Sequence, residues 1–70
     1  NPTKGNLTID LGSYQEVVRV NVFNLSGKIV YQQKFSNTNT INLLIKGEKG
    51  AYIVEVITEK SSVILRTIKY

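Results

Sequence analysis

The chain has no cysteine, histidine, methionine or tryptophan, and a single proline. Without cysteine, neither a disulfide nor a thiolate metal site can staple a small core. Without histidine, the commonest general base and metal ligand is gone. The acids Asp10, Glu16, Glu48, Glu55 and Glu59 stand in no catalytic spacing and read as solvated charges. Ser13, Ser26, Ser36, Ser61 and Ser62 have no local activating base and no G-x-S-x-G setting. Gly47-Glu48-Lys49-Gly50 has neither the spacing nor the following helix of a phosphate loop and reads as a turn. The residues therefore point away from an enzyme and call for no metal and no cofactor.

Long apolar runs are also absent. Nothing approaches the roughly 18 consecutive apolar residues of a membrane helix, and no charged-then-apolar leader opens the sequence. A soluble chain with no direct membrane insertion is expected. Nine Lys and Arg against five Asp and Glu give a net charge of +4. The cations Lys4, Arg19, Lys28, Lys34, Lys46, Lys49, Lys60, Arg66 and Lys69 are dispersed, so they read as a solvated surface rather than one patch. Tyr31, Phe35 and Tyr52 fall in apolar stripes, which favours core packing over base stacking, and nucleic acid is not an expected partner. A nucleic-acid-binding barrel would instead bind single strands with a steep salt dependence.

What is present is alternation. Seventy residues with 41% apolar content suit one domain over 1–70, with only about 60% of the unfolded surface available for burial. Residues 1–5 carry turn chemistry in Pro2 and Gly5. Leu7, Ile9 and Leu11 then alternate with polar residues, and Gly12-Ser13 closes that run. Val18, Val20 and Val22 share one face of the next strand, and Asn24-Leu25-Ser26-Gly27-Lys28 turns it into Ile29, Tyr31 and Phe35. The polar stretch 36–39 reads as a loop, followed by Ile41, Leu43 and Ile45, with Leu44 out of phase. A charged loop over 46–50 leads to a final hairpin with Tyr52, Val54 and Val56 on one face. Its last strand is apolar on both faces, and Ile64 and Ile68 are expected inward. No segment of ten residues shows the 3.6 period, and Val, Ile, Thr, Tyr and Phe dominate the runs. The expected fold is all-β without a helix: a small antiparallel β-sandwich, Ig- or fibronectin-like, of about six to seven short strands.

The order of segments adds a resemblance. Asn1-Pro2-Thr3-Lys4-Gly5 precedes a short strand, Val22-Phe23-Asn24-Leu25-Ser26-Gly27-Lys28-Ile29-Val30 occupies the middle, Gly50-Ala51-Tyr52-Ile53-Val54 follows, and the ending is basic and apolar. This resembles the type A C-terminal sorting domain of the type IX (Por) secretion system. That family opens with Pro-Asn-Pro-x-x-x-Gly and carries a hydrophobic-Tyr/Phe-Asp/Asn-x-x-Gly-Lys/Arg hairpin. A Gly-x-Tyr strand and a Lys-rich apolar strand follow. The likeness covers essentially the whole chain. It departs at the start, where the preceding aromatic and proline are absent, and at the end, where Arg66-Thr67-Ile68-Lys69-Tyr70 splits the usual pair of lysines.

The resemblance implies an export address at the C-terminus of a larger secreted protein. Its partners would be type IX translocon components and a sortase-like surface protease cutting upstream of Asn1. The protein would be periplasmic in transit and then at the cell surface or extracellular. By the same token, Pro2, Gly5, Asn24, Gly27, Lys28, Gly50 and Tyr52 would shape the fold, and Arg66, Ile68, Lys69 and Tyr70 would form the recognised end. Open sheet edges would also permit a homodimer by strand pairing. A carbohydrate-binding or adhesive accessory sandwich has the same strand pattern and is the alternative reading.

Overall fold

The structure, a computed structural model, describes residues 2–70. The described residues form β1 (Pro2–Thr3), β2 (Asn6–Asn24), β3 (Ile29–Leu44), β4 (Gly50–Thr58) and β5 (Ser62–Lys69), and include no helix. The strands make one sheet in the order β1-β5-β4-β2-β3. All neighbours are antiparallel except β1 and β5, which run parallel.

The expected six to seven strands are thus five, in one hydrogen-bonded sheet rather than a two-sheet Ig- or fibronectin-like sandwich. Two pairs of expected short strands are the halves of long ones. Residues 6–11 and 17–24 both belong to β2, and residues 29–35 and 40–44 both belong to β3. A straight strand of 19 residues would reach about 63 Å, twice the molecule's longest dimension of 32 Å. The β2–β3 hairpin must therefore bend. It does so where the register shifts between Asp10 and Gln15. Gly12 there takes φ +79°, and its N–H donates to Asp10 Oδ1 at 2.8 Å. On the partner strand Asn37 takes φ +53°, a region asparagine enters more readily than most residues. The expected loop at 36–39 is therefore a kink within continuing β structure.

The bend brings the two halves of the hairpin into one core. Val18, Val20, Val22, Tyr52, Val54 and Val56 are buried, as expected from their alternation, with Ile41, Leu43 and Ile45. Leu7, Ile9, Leu11, Tyr31, Phe35 and Leu65 pack against them. Leu44, out of phase, is exposed.

Two further expectations are corrected. Residues 2–3, assigned to a turn, add a short parallel strand to β5, with Pro2 opposite Ile68 and Thr3 opposite Lys69. Ile64 and Ile68, expected inward, are 64% and 55% exposed. The register decides this: Tyr52 pairs with Thr67 and Val54 with Leu65, and directly opposed residues share a face of the sheet. Thr67 and Leu65 therefore join the core row, and Ile64, Arg66 and Ile68 take the outer face.

Candidate partner-recognition surface

The residues expected to form the recognised end lie on β5 and just beyond it. Tyr70 N–H donates to Thr3 O at 2.9 Å, so the backbone of position 70 faces β1. Peptide groups alternate sides along a strand. Hence the N–H and C=O of Thr67, Leu65 and Val63 face β4, while those of Ile64 and Arg66 face outward. The hairpin turn agrees, because Thr58 N–H donates to Ser61 O at 2.8 Å and sets the same alternation. β1 pairs only with Ile68 and Lys69. Among the described residues, no strand covers the outward groups of Ile64 and Arg66.

The other sheet edge differs in chemistry. β3 presents Gln32, Gln33, Lys34 and Ser36, all exposed, and lysine and polar residues discourage strand pairing at an edge. β5 presents Val63 and Ile64, both exposed and apolar. Behind its edge the outer face carries Ile53 and Ile57, half-buried, beside Arg66 and Ser62 in the register. A polar ladder crosses this face: Gln32 Nε2 donates to Asn21 Oδ1 at 2.9 Å, and Asn21 Nδ2 to Glu55 Oε1 at 3.0 Å. Glu55 is thus engaged by an amide, and the Arg66 side chain has no ion-pair partner among the described residues.

The four residues of the expected recognised end are not equivalent. Arg66 and Ile68 are exposed on the outer face. Lys69 is half-buried and its Nζ donates to Gly47 O at 2.7 Å, tying the end of β5 to the loop before β4. Tyr70 exposes its ring while its amide holds Thr3.

The motif residues lie mainly in turns. Asn24 Oδ1 accepts from the N–H groups of Ser26 and Lys28, both at 3.0 Å, and Asn24 O accepts from Gly27 N–H. Gly27 has φ +84°, as the expected hairpin turn requires. Lys28 is exposed at the start of the returning strand. Gly50 opens β4 with φ +148°. Tyr52 is buried, and its hydroxyl donates to Glu48 O at 2.6 Å, closing the loop over the core. Pro2 lies in β1. Thr3 faces β5, so the alternation turns Pro2, which has no N–H, to the outer side of the edge, where proline removes no ladder bond. Gly5 has φ +133°, and its carbonyl accepts from Ile45 N–H at 2.7 Å.

Thr3 was not singled out by the sequence, and Ile64 was expected in the core rather than on the surface. Thr3 is buried, its Oγ1 accepts from Gly5 N–H at 3.0 Å and donates to Asn6 O, and its carbonyl holds Tyr70. No sequence signal marks it, because its role depends on a contact with the opposite terminus. Ile64 could have been found from the clash of two apolar phases in the last strand.

No group of His, Cys, Asp and Glu among the described residues is placed to hold a metal ion. No curated protein matches the chain. The family described as "Secretion system C-terminal sorting domain" matches residues 1–70. The whole described fold lies within that match, and so do the motif turns and the β5 end. The chain belongs to this family, the C-terminal signals that address proteins to the type IX secretion system.

Proposed function

We propose that the domain works as a folded export address that is read at β5, with no catalysis of its own. A cargo protein precedes it, crosses the periplasm, and is passed through the outer membrane when translocon components bind the outer edge and outer face of β5. A sortase-like surface protease then cuts upstream of Asn1, and the cargo reaches the surface or the medium. The family match over residues 1–70 carries this reading. The exposed side chains of Ile64 and Ile68, flanking Arg66 on the outer face of β5, support the choice of surface. Recognition through a sheet edge combines main-chain hydrogen bonds for affinity with alternate side chains for selectivity.

The test is a fluorescent protein with a periplasmic signal peptide at its N-terminus and this chain at its C-terminus, expressed in a type IX-competent cell. Fluorescence in the medium or on the surface is the expected result. Fluorescence retained in the periplasm would refute the address.

A further inference from the structure

The turn between β2 and β3 and the loop between β3 and β4 meet at one end of the sheet, and a furrow runs between them. Ala51 floors it, Leu25 and Val30 wall it, and it continues past Val30 and Lys46 to Leu44. Leu25, Val30 and Leu44 are 75%, 40% and 45% exposed, three large apolar side chains along one concave line. Lys46 and Lys49 stand on the same furrow, and Lys28 closes the turn beside it. The fold thus gathers cations that are scattered along the sequence. None of these three lysines has an ion-pair partner among the described residues, and Glu48 is the one acid on the furrow. The loop is held from below, because Tyr52 Oη donates to Glu48 O and Lys69 Nζ to Gly47 O. The furrow is built by β2, β3, β4 and the segments joining them, and β1 enters the sheet at the opposite edge, beside β5.

We propose that this furrow binds an extended acidic segment of a partner protein. Its apolar side chains lie against Leu25, Val30 and Leu44, and its carboxylates lie at Lys46 and Lys49. Charge complementarity selects the occupant: the lysines lack acids of their own chain, and exposed apolar surface rimmed by charge is what a protein partner covers. Concavity argues against a bilayer, whose flat surface cannot reach Ala51 at the floor. Nucleic acid fits poorly too, because the aromatic rings of the furrow, Tyr31 and Tyr52, are half-buried and buried and offer bases no face to stack on. This contact is separate from β5, so it goes beyond the export reading, and its test needs no secretion machinery.

The probes are three unlabelled peptides: Gly-Asp-Leu-Glu-Val-Asp-Gly, its amide counterpart Gly-Asn-Leu-Gln-Val-Asn-Gly, and Gly-Asp-Ser-Glu-Ser-Asp-Gly, which keeps the charge and loses the apolar side chains. Each is titrated onto the nitrogen-15-labelled 70-residue chain at low salt, and amide shifts are followed by NMR. The first peptide should move the amides of Leu25, Val30, Lys46 and Lys49 and bind roughly fivefold more tightly than either control. Lys46→Glu combined with Lys49→Glu should remove its advantage over the amide peptide, and Glu48→Gln should tighten it roughly twofold. Leu25→Ser should remove its advantage over the serine peptide. All four positions are exposed, and an unchanged pattern of core amides shows that each variant folds. The proposal is overturned if these amides do not move, if the amide peptide binds as tightly, or if the charge reversal changes nothing. Shifts at the furrow with phosphatidylglycerol vesicles and none with the acidic peptide would make a lipid surface the occupant and overturn it. Shifts there on raising the chain concentration alone would make a second copy the occupant, with the same consequence. Export of the fluorescent fusion is read separately, so either reading can fail without the other.

Discussion

The amide of Tyr70 donates to the carbonyl of Thr3 across 2.9 Å, joining the two ends of the chain through a parallel pair. The junction with any preceding protein therefore lies beside the last residues of the signal. Thr3 is fixed in turn by its own hydroxyl, which bonds Gly5 N–H and Asn6 O.

Deleting residues 1–3 should speed amide exchange at Tyr70 markedly and leave Val54, in the core of β4, unchanged. Hydrogen exchange followed by NMR checks it. Equal protection of Tyr70 in both chains would show that β1 does not hold the terminus.

Removing Ile68, Lys69 and Tyr70 from the fluorescent fusion should block export while the cargo stays folded. The deletion takes away the partner of β1 and the Lys69 tie to Gly47. Cell fractionation with in-gel fluorescence reads both outcomes, and normal export of the truncated fusion would refute recognition at this end.

Gly5 and Gly27 should differ in tolerance. Both have positive φ, but a Cβ at Gly27 meets nothing within 4 Å, whereas one at Gly5 lies 3.1 Å from Ile45 O and 3.3 Å from Leu44 Cδ1. Gly27→Val should cost about 1–2 kcal/mol, the strain of a left-handed backbone alone. Gly5→Val should cost more, because it also crowds the backbone carbonyl of Ile45, a residue whose position is fixed by its own N–H bond to Gly5 O. Urea melts of the two variants give the order, and an unchanged melting temperature for Gly27→Val would contradict the turn.

Burial separates two isoleucines of equal size. Ile41 is fully buried and Ile64 is 64% exposed. Ile41→Ala should lose about 2–5 kcal/mol, and Ile64→Ala should stay within about 0.5 kcal/mol. Chemical denaturation measures both, and a large loss at Ile64 would put that side chain back in the core.

Tyr52→Phe should cost about 0.5–1.5 kcal/mol, the net worth of one hydrogen bond, since it deletes only the bond to Glu48 O. Exchange of the 46–49 amides should quicken with it. Denaturation and exchange together distinguish this from a loss of core packing, which Tyr52→Phe leaves intact.

Local chemistry made much of this legible. The alternation at Val18, Val20 and Val22 and at Tyr52, Val54 and Val56 identified the buried face correctly, because a strand's side-chain period is two wherever one face is dry. Asn24 to Lys28 announced its turn through an asparagine that can bond its own backbone and a glycine that can take positive φ. The continuity of β2 and β3 was hidden. Gly12 and the polar residues around Asn37 look like strand ends, and only the pairing across the hairpin keeps them in the sheet.

The orientation of β5 was hidden for a different reason. Val63, Leu65 and Thr67 compete with Ile64, Arg66 and Ile68, and hydropathy ranks the isoleucine phase at least as high. Register against β4 overrides that ranking, since a shift of one residue would turn the whole strand over. Of the candidate site, the sequence supplied Arg66 and Ile68, while the exposure of Ile64 and the anchoring role of Lys69 needed the neighbours.

By itself the sequence determined an all-β chain, its principal hairpin turns and most of its core, because each rests on the character of residues close together along the chain. Through its motif order it also pointed to the sorting family. The tertiary structure decided the bend that folds one hairpin into a core, the parallel strand that joins Thr3 to Tyr70, and which face of β5 is exposed. Those depend on hydrogen bonds between residues far apart in sequence, whose geometry no local pattern of hydropathy encodes.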